Sequence, residues 1–135
     1  MEFQPHHVAL TVSNIEKTIE FYKKFGFKEV IRWKAEDNSL IVVHLKLNNF
    51  ILELFSFKDV KEGAVEKELF EDLKHKGYRH FALKVVNLEE VSSKLKEKGI
   101  IPINKINLGK TGIKYFFVKD PEGNFLEIVE DKRKF

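Results

Sequence analysis

The sequence predicts an α+β fold in which two βαβββ repeats form a half-open, curved sheet. The first reason is that residues 7–12 (HVALTV) nearly reappear as residues 80–85 (HFALKV). The second is that residues 51–54 (ILEL) return as residues 125–128 (FLEI). The third is that the two offsets almost agree, because 73 positions separate His7 from His80 and 74 separate Glu53 from Glu127. A βαβββ unit leaves one sheet face uncovered, so we expect the two units to share one concave face.

The first repeat begins with an alternating strand at residues 7–12, with Val8, Leu10 and Val12 on the core side. Ser13 and Glu16 have the spacing of a capping box, so a helix should follow and end at Gly26. Its buried stripe is predicted to be Ile15, Ile19, Tyr22 and Phe25. Three strands are then predicted at residues 28–34, 40–47 and 50–57, with Asn48 and Asn49 forming a hairpin turn.

The second repeat follows the same order, starting with a strand at residues 80–85. Asn87 should cap a helix that Gly99 ends, with a buried stripe of Leu88, Val91 and Leu95. Three further strands are predicted at residues 100–106, 112–119 and 124–130. The sequence at 120–124 (DPEGN) is a strong turn pattern between the last two.

The segment between the repeats should contain an amphipathic helix that carries Val65, Leu69 and Leu73 and ends at Gly77. We therefore expect a single domain over residues 1–135. It would comprise repeat one at about 5–57, a linker at 58–78 and repeat two at about 79–131.

The composition allows a packed core and excludes several classes of function. Hydrophobic residues make up 43% of the chain, and the net charge is +3 from 24 basic and 21 acidic residues. The lysines are spread along the chain, which favours a solvated surface over a nucleic-acid interface. The chain has no cysteine, so disulfides, thiolate nucleophiles and cysteine-ligated zinc are excluded. Without an apolar run of about 20 residues or a signal-peptide pattern, we expect a cytoplasmic protein that does not enter a membrane.

Four residues at matched positions form a candidate metal site. His7 and His80 each begin a strand, whereas Glu53 and Glu127 each interrupt an otherwise apolar strand. A carboxylate there is costly to bury unless it is paired or bound to a metal. A single histidine at a strand start is usually a hydrogen-bonded structural residue, but the matched positions favour ligands for one divalent ion: Zn, Ni, Co, Mn or Fe. His6 competes with His7, and the register of the repeat selects His7.

Three other features are set aside. His44 and His75 have no counterpart in the other repeat, and His75, near a helix end among lysines, is expected on the surface. The sequence Gly109-Lys110-Thr111 resembles the end of a phosphate-binding loop, but Asn104 replaces the required glycine and no helix follows. We interpret it as a hairpin turn.

The motifs of this chain resemble those of the vicinal oxygen chelate superfamily, which contains glyoxalase I, extradiol dioxygenases, methylmalonyl-CoA epimerase, and fosfomycin and bleomycin resistance proteins. Residues 7–12, 19–22 (IEFY) and 25–27 (FGF) are similar to the family's opening, and residues 117–127 (FVKDPEGNFLE) are similar to its closing motif. The resemblance covers nearly the whole chain and implies the same paired βαβββ fold.

Within that superfamily, the resemblance is closest in ligand set to glyoxalase I. Dioxygenases and fosfomycin resistance enzymes typically use two histidines and one glutamate, which match His7, His80 and Glu127. Bacterial glyoxalase I adds a second glutamate, and Glu53 occupies that position. The resemblance implies a divalent-metal lyase or isomerase that acts on a small carbonyl or hemithioacetal through a metal-stabilised enediolate. It further implies that one glutamate is the catalytic base; we expect this to be Glu127, with Glu53 as the anchor or an equivalent catalytic partner.

Departures from glyoxalase I bear on the substrate. Thr11 stands where bacterial glyoxalase I has an arginine that helps hold glutathione, and Phe57 stands where it has an asparagine. If Phe55, Phe57 and Phe125 line the concave face of the sheet, the pocket is more apolar than a glutathione site. Ordinary core packing explains these three phenylalanines equally well. The alternatives are a dioxygenase, a thiol transferase, or a resistance protein that binds a drug without chemistry. The resemblance also implies a homodimer with a small-molecule substrate, and the metal site lies within one chain or is shared between two.

Overall fold

The computed structural model describes all 135 residues and divides the chain into two compact units, Met1–Gly63 and Ala64–Phe135. Each unit contains one four-stranded mixed sheet. The strands of each sheet follow one pattern, with the first and last strands parallel and the other neighbours antiparallel. The predicted α+β class built from two βαβββ units is confirmed.

The first unit contains one helix and four strands, which are β1 (His7–Thr11), α1 (Ile15–Lys23), β2 (Lys28–Lys34), β3 (Leu40–Leu47) and β4 (Phe50–Phe57). The sheet order is β1-β4-β3-β2. The bounds predicted for β2, β3 and β4 agree with the structure. Asn48 and Asn49 form the predicted turn, and Asn48 adopts a positive φ of 52°, which asparagine tolerates better than most residues.

The core of the first unit lies between the sheet and α1. Leu52 and Leu54 of β4 are fully buried on the side that faces this helix, and Ile19 and Tyr22 supply the helix side of the core. Because side chains alternate along a strand, Glu53 lies on the opposite face. The predicted division of β4 into two faces is therefore confirmed.

The predicted capping box at the start of α1 is wrong by one residue. The helix is capped by Asn14, whose backbone is extended and whose side-chain oxygen accepts a hydrogen bond from the Lys17 N–H at 3.1 Å. Ser13 lies one position too early for this role. Asparagine and serine are comparably good caps, so the sequence pattern did not discriminate between them.

The second unit contains two helices and four strands, which are α2 (Leu69–Leu73), β5 (Phe81–Lys84), α3 (Leu88–Glu97), β6 (Asn107–Leu108), β7 (Lys114–Lys119) and β8 (Phe125–Glu130). The sheet order is β5-β8-β7-β6. Asn87 caps α3 as predicted, accepting a hydrogen bond from the Glu90 N–H at 3.0 Å. No helix in either unit combines the length and apolarity needed to cross a membrane.

The strand predicted at residues 100–106 is wrong, because only the two residues of β6 pair regularly with β7. Pro102 has no N–H to contribute to a ladder. Ile103 donates its N–H to the Phe117 carbonyl at 2.9 Å, but the Phe117 N–H donates to the side chain of Asn104 at 2.8 Å. A side chain thus takes the place of a backbone acceptor, and the segment stays irregular. The turn predicted at 109–111 is confirmed by a Gly112 N–H to Gly109 carbonyl hydrogen bond.

The predicted amphipathic linker helix is also wrong in extent and in its buried side. Helix α2 has five residues, and both Val65, which lies outside it, and Leu73 are exposed. The residue that α2 buries is Asp72, which is 1% exposed. Its carboxylate accepts hydrogen bonds from the Glu66 N–H at 3.1 Å and from the Arg79 guanidinium at 3.2 Å. A buried ion pair therefore organises this segment in place of an apolar stripe.

The turn between β7 and β8 is stabilised by the buried carboxylate of Asp120. This carboxylate accepts hydrogen bonds from the backbone N–H groups of Glu122 and Asn124, both at 2.9 Å. Gly123 adopts a φ of +84°, which favours glycine. The turn sets the register of β8 against β7 and so determines which side chains flank Glu127.

Candidate metal centre

The position of Glu53 follows from the pairing of β4 with its two neighbours. Glu53 pairs with Ala9 of the parallel strand β1 and with His44 of the antiparallel strand β3. His7 lies two residues before Ala9, on the same face of β1. The carboxylate therefore lies between two imidazoles that belong to different strands.

Each oxygen of the Glu53 carboxylate approaches a different histidine. His7 Nε2 lies 3.5 Å from Oε1, and His44 Nε2 lies 2.7 Å from Oε2. On the far side of the His7 ring, Nδ1 lies 3.0 Å from Nδ1 of His6. A chain of contacts thus runs from His6 through His7 and Glu53 to His44. The His7 side chain is 44% exposed, compared with 27% for His44.

The second unit builds the same pair at the same register. Glu127 of β8 pairs with Ala82 of β5, and His80 lies two residues before Ala82. His80 Nε2 lies 3.2 Å from Glu127 Oε1. His80 is 20% exposed, so this pair is more enclosed than the pair of His7 and Glu53. The sequence repeat is therefore also a repeat of side-chain geometry.

One neighbour of the glutamate differs between the units. In the first unit the antiparallel partner of Glu53 is His44, whereas in the second the partner of Glu127 is Phe117. The Phe117 ring packs edge-on against His80 with ring centroids 4.9 Å apart. It has no polar atom to offer Glu127.

The chemistry of these side chains fits a divalent metal. Imidazole nitrogen and carboxylate oxygen are ligands of Zn²⁺ and other first-row ions. His80 Nδ1 is buried without a hydrogen-bond partner, which is unusual for an imidazole nitrogen and is consistent with a group that has a function beyond packing. The chain contains no cluster of three or more histidine or acidic side chains that could by itself hold an ion. Each unit presents one histidine–glutamate pair, and in the first unit His44 also contacts the glutamate.

The residues expected to line a substrate pocket fall into two groups. Thr11 and Phe57 line a cavity of about 370 Å³ in the first unit, together with Asp59, Val60 and Lys61. Phe55 stacks on Phe57, with ring planes 9° from parallel and centroids 6.1 Å apart.

Phe125 is in a different environment from these first-unit residues. Its ring is buried in the second unit, packing against Phe117 at 6.3 Å and lying beneath the Lys119 ammonium at 5.1 Å. A larger depression of about 530 Å³ in the second unit is lined by Ser92, Lys96 and residues 101–106, and it contains none of the predicted site residues. Of these two depressions, the one beside Thr11 is the smaller, and it contains two of the predicted site residues.

The sequence analysis missed the contact of His44 with Glu53, although the sequence contained the information to find it. A two-residue turn at Asn48 and Asn49 pairs residue 47 with residue 50, and hence residue 44 with residue 53. The histidine was set aside because it has no counterpart in the second repeat. His75 is exposed, as predicted, and pairs with Glu66 at 3.0 Å.

Residues 4–128 match the family model described as the Glyoxalase/Bleomycin resistance protein/Dioxygenase superfamily, and this chain belongs to that superfamily. It is 26% identical over 133 residues to the "Probable lactoylglutathione lyase" of Vibrio cholerae serotype O1, covering 94% of this chain and 90% of the relative. It is 31% identical to the "Trivalent organoarsenical cleaving enzyme" of a Bacillus species, covering 93% of this chain and 72% of the relative.

Solved structures agree with this assignment. A glyoxalase family protein from Enterococcus faecalis is 33% identical, with a TM-score of 0.78 over 94% of this chain and 97% of that one. The trypanothione-dependent glyoxalase I of Leishmania major, at 21% identity, shares the fold with a TM-score of 0.70 over 97% of this chain and 88% of that one. Members of the superfamily are typically enzymes and typically use a divalent metal.

Proposed function

We propose that this protein is a divalent-metal-dependent lyase or isomerase of the glyoxalase type, acting on a small carbonyl compound or hemithioacetal. The main support is that one histidine–glutamate pair occurs twice at the same strand register, with nitrogen–oxygen distances of 3.5 and 3.2 Å. Membership of the superfamily and the similarity to a probable lactoylglutathione lyase point in the same direction.

In this proposal His7, Glu53, His80 and Glu127 hold one divalent ion: Zn, Ni, Co, Mn or Fe. The two pairs come from one chain or from two chains of a homodimer. Both histidines would bind the ion as neutral imidazoles, and the two glutamates would supply carboxylate oxygens. When bound, the ion supplies Lewis-acid stabilisation of the negative charge that develops on those oxygens.

The protein's own part of the reaction is a proton transfer by Glu127. Its carboxylate takes the proton from the carbon beside the substrate carbonyl and returns it to the neighbouring carbon. For a hemithioacetal, the hydroxyl proton also moves to the former carbonyl oxygen. One C–H and one O–H bond break and one of each forms within the same substrate, so no oxidant or reductant is needed. Glu127 is mostly shielded from water, which favours proton transfer to the substrate over exchange with solvent.

The cavity beside Thr11 supports a small and partly apolar substrate. Its volume of about 370 Å³ is near the lower end of small-molecule sites, which span roughly 300–1,000 Å³. Phe57 supplies an apolar wall, while Lys61 and Asp59 supply one positive and one negative charge. Glutathione, a charged tripeptide, would need more polar partners than these side chains provide, so we favour a smaller thiol adduct or a free carbonyl compound.

The other activities within the superfamily are outcomes that the experiments distinguish. The relative that cleaves trivalent organoarsenicals is 31% identical, but this chain has no cysteine thiolate, the soft ligand that trivalent arsenic prefers. Dependence of turnover on O₂ would identify a dioxygenase, and consumption of a thiol would identify a transferase. Tight binding of a small drug without turnover would identify a resistance protein.

The first experiment measures metal binding. Elemental analysis of protein purified without added metal, followed by Co²⁺ titration of the metal-free protein, gives stoichiometry and affinity. We expect one ion per site and a loss of affinity of at least about tenfold in both His7→Ala and His80→Ala. His75→Ala is the matched control, because it removes an exposed histidine in a different environment. Failure of the unaltered protein to bind any divalent ion would overturn the proposal.

The second experiment measures turnover. Metal-loaded protein is screened against hemithioacetals of several thiols and against α-keto compounds, in air and under nitrogen. We expect isomerisation that needs the metal but neither O₂ nor net thiol consumption. Activity that survives complete metal removal would contradict the proposed mechanism.

A further inference from the structure

We propose that His44 is a positioning residue that fixes the Glu53 carboxylate by one oxygen and leaves the other oxygen to the metal. The inference rests on the proposed function, and it assigns different roles to the two glutamates of the site. Glu53 would be a fixed anchor for the ion, whereas Glu127 would keep the mobility that a base needs.

The contact between His44 and Glu53 has the geometry of a strong hydrogen bond. Nε2 lies 2.7 Å from Oε2, much closer than the 3.5 Å between His7 Nε2 and Oε1. A carboxylate has only acceptor atoms, so Nε2 of His44 carries the proton and donates it. A protonated Nε2 has no lone pair for a metal, so this nitrogen is a support for the ligand and not a ligand itself.

The backbone holds the two side chains in this relation. His44 and Glu53 are directly opposite residues in the β3–β4 ladder, and a two-residue turn sets the register of that hairpin. A slip by one residue would move Leu52 and Leu54 out of the core, so the pairing is strongly determined. Both side chains are partly buried, which protects the hydrogen bond from competition with water.

The second unit lacks this support. Phe117 takes the place of His44 beside Glu127, and a phenyl ring cannot donate a hydrogen bond. The ring instead packs against His80, which restrains the histidine and not the glutamate. The Glu127 carboxylate therefore contacts one histidine, His80, whereas the Glu53 carboxylate contacts both His7 and His44. A carboxylate with fewer fixed partners can change its contacts at lower cost, as a base must.

The experiment exchanges the residues beside the two glutamates, His44 and Phe117, and includes a variant at position 44 that keeps a hydrogen-bond donor. His44→Phe reproduces the environment of Glu127, and His44→Gln restores an N–H donor without an imidazole. Phe117→His places a donor beside Glu127, and His75→Phe is the control at an exposed site. Thermal unfolding identifies any variant that does not fold, and the two substitutions at His44 carry the test if Phe117→His is unstable.

Three readouts are recorded, of which the first needs no metal. In metal-free protein, ¹⁵N NMR of the His44 ring should show the tautomer with the proton on Nε2. In Co²⁺ titrations, His44→Phe should weaken binding about tenfold and alter the visible absorption spectrum, and His44→Gln should recover most of the affinity. In turnover, Phe117→His should lower kcat with little change in KM, because a second hydrogen bond restrains the base. His75→Phe should change none of these.

Each outcome has a separate meaning. If the unaltered protein binds Co²⁺ and His44→Phe binds it equally well with the same spectrum, the inference fails and the proposed function stands. An Nδ1–H tautomer at His44 also overturns the inference alone. If His44→Phe abolishes binding and His44→Gln does not restore it, His44 is a ligand and the positioning role is wrong. If the unaltered protein binds no divalent ion, both the proposed function and the inference fail.

Discussion

The two units share a backbone plan and a histidine–glutamate pair, but they surround that pair differently. In the first unit the glutamate has a histidine on each side and the pair is open, with His7 44% exposed. In the second unit the glutamate has one histidine and a phenylalanine, and His80 is 20% exposed. The strand ladder fixes where the carboxylate lies, whereas a single neighbouring side chain decides how firmly it is held. A duplicated scaffold can therefore place two equivalent glutamates in different surroundings.

The residues that follow each glutamate along its strand are also more exposed in the first unit than in the second. In the first unit Phe55 and Phe57 follow Glu53 along the same face, and Phe57 lines a cavity. In the second unit Val129, two residues after Glu127, is buried. The first unit thus has a cavity lined by a residue that follows its glutamate along the same face, whereas the residue at the matched position of the second unit is buried. Substitutions at matched positions test how far this comparison extends.

The largest expected effect comes from replacing the two glutamates one at a time. Glu127→Gln should lower kcat by roughly 10²- to 10⁴-fold because it removes the base. Glu53→Gln should act mainly by weakening metal binding, with kcat partly recovered at high metal concentration. Turnover and metal stoichiometry, measured together, distinguish these effects. Full activity in Glu127→Gln would remove the proposed base, and equal loss of kcat at full metal occupancy would make the two glutamates equivalent.

The next effect concerns the cores, where the two units should behave alike. Leu52 and Leu126 precede the two glutamates and are both fully buried. Replacing either by alanine should lower the free energy of unfolding by about 2–5 kcal/mol, because each leaves a cavity. Urea denaturation followed by circular dichroism measures this, with the exposed Val86→Ala as the control. A change below about 0.5 kcal/mol at either leucine would contradict the equivalence of the two cores.

A smaller effect is expected at the helix caps, where the units again match. Asn14 and Asn87 each accept a hydrogen bond from the N–H three residues on, at 3.1 and 3.0 Å. Asn14→Ala and Asn87→Ala should each cost about 1 kcal/mol in the free energy of unfolding. The aspartate variants should retain most of the stability, since a carboxylate caps equally well. Aspartate variants as unstable as the alanine variants would show that the caps are not the source of the loss.

The smallest effect is expected at a surface ion-pair network in the first unit. Arg32 bonds Glu29 at 2.8 Å and Glu16 of α1 at 2.6 Å. The hydrogen bond from Arg32 holds the pKa of Glu29 below its usual value of 4.5. Arg32→Ala should cost less than about 1 kcal/mol, because more than a third of the arginine is exposed.

The pH dependence of that network has a definite sign. A carboxylate with a lowered pKa in the folded state stabilises the fold above its unfolded pKa, here near 4.5. The contribution is lost as the pH falls through the lower, folded value. Arg32→Ala should therefore differ in thermal stability from the unaltered protein at pH 7 and converge with it in strong acid. Lys114→Ala is the matched change in the second unit, where Lys114 bonds Glu89 of α3. An equal difference at all pH values would mean that Arg32 acts only through packing.

The regular parts of the fold could be predicted because their patterns are local. Strands β2, β3 and β4 have the predicted bounds, since alternating side chains and the turn at Asn48 and Asn49 define them. The segment at 100–106 looked like a strand because it is rich in isoleucine. In the structure, the Phe117 N–H donates to the side chain of Asn104 and not to a backbone carbonyl of this segment. Asn104 and Phe117 are 13 residues apart, so no local sequence pattern predicts this hydrogen bond. The prediction of an amphipathic helix in the linker was wrong for a similar reason. Asp72 is buried because it pairs with Arg79, and the helical pattern of apolar residues does not reveal that pair.

The sequence by itself determined the duplication, the two sheets and the four residues proposed as ligands, because each depends on periodicity or on repetition along the chain. Only the tertiary structure decided the surroundings of those residues. The contact of His44 with Glu53, the packing of Phe117 against His80 and the cavity beside Thr11 depend on which strands lie next to each other. Strand pairing is a long-range property, so two nearly identical sequence motifs can acquire different neighbours and, with them, different chemistry.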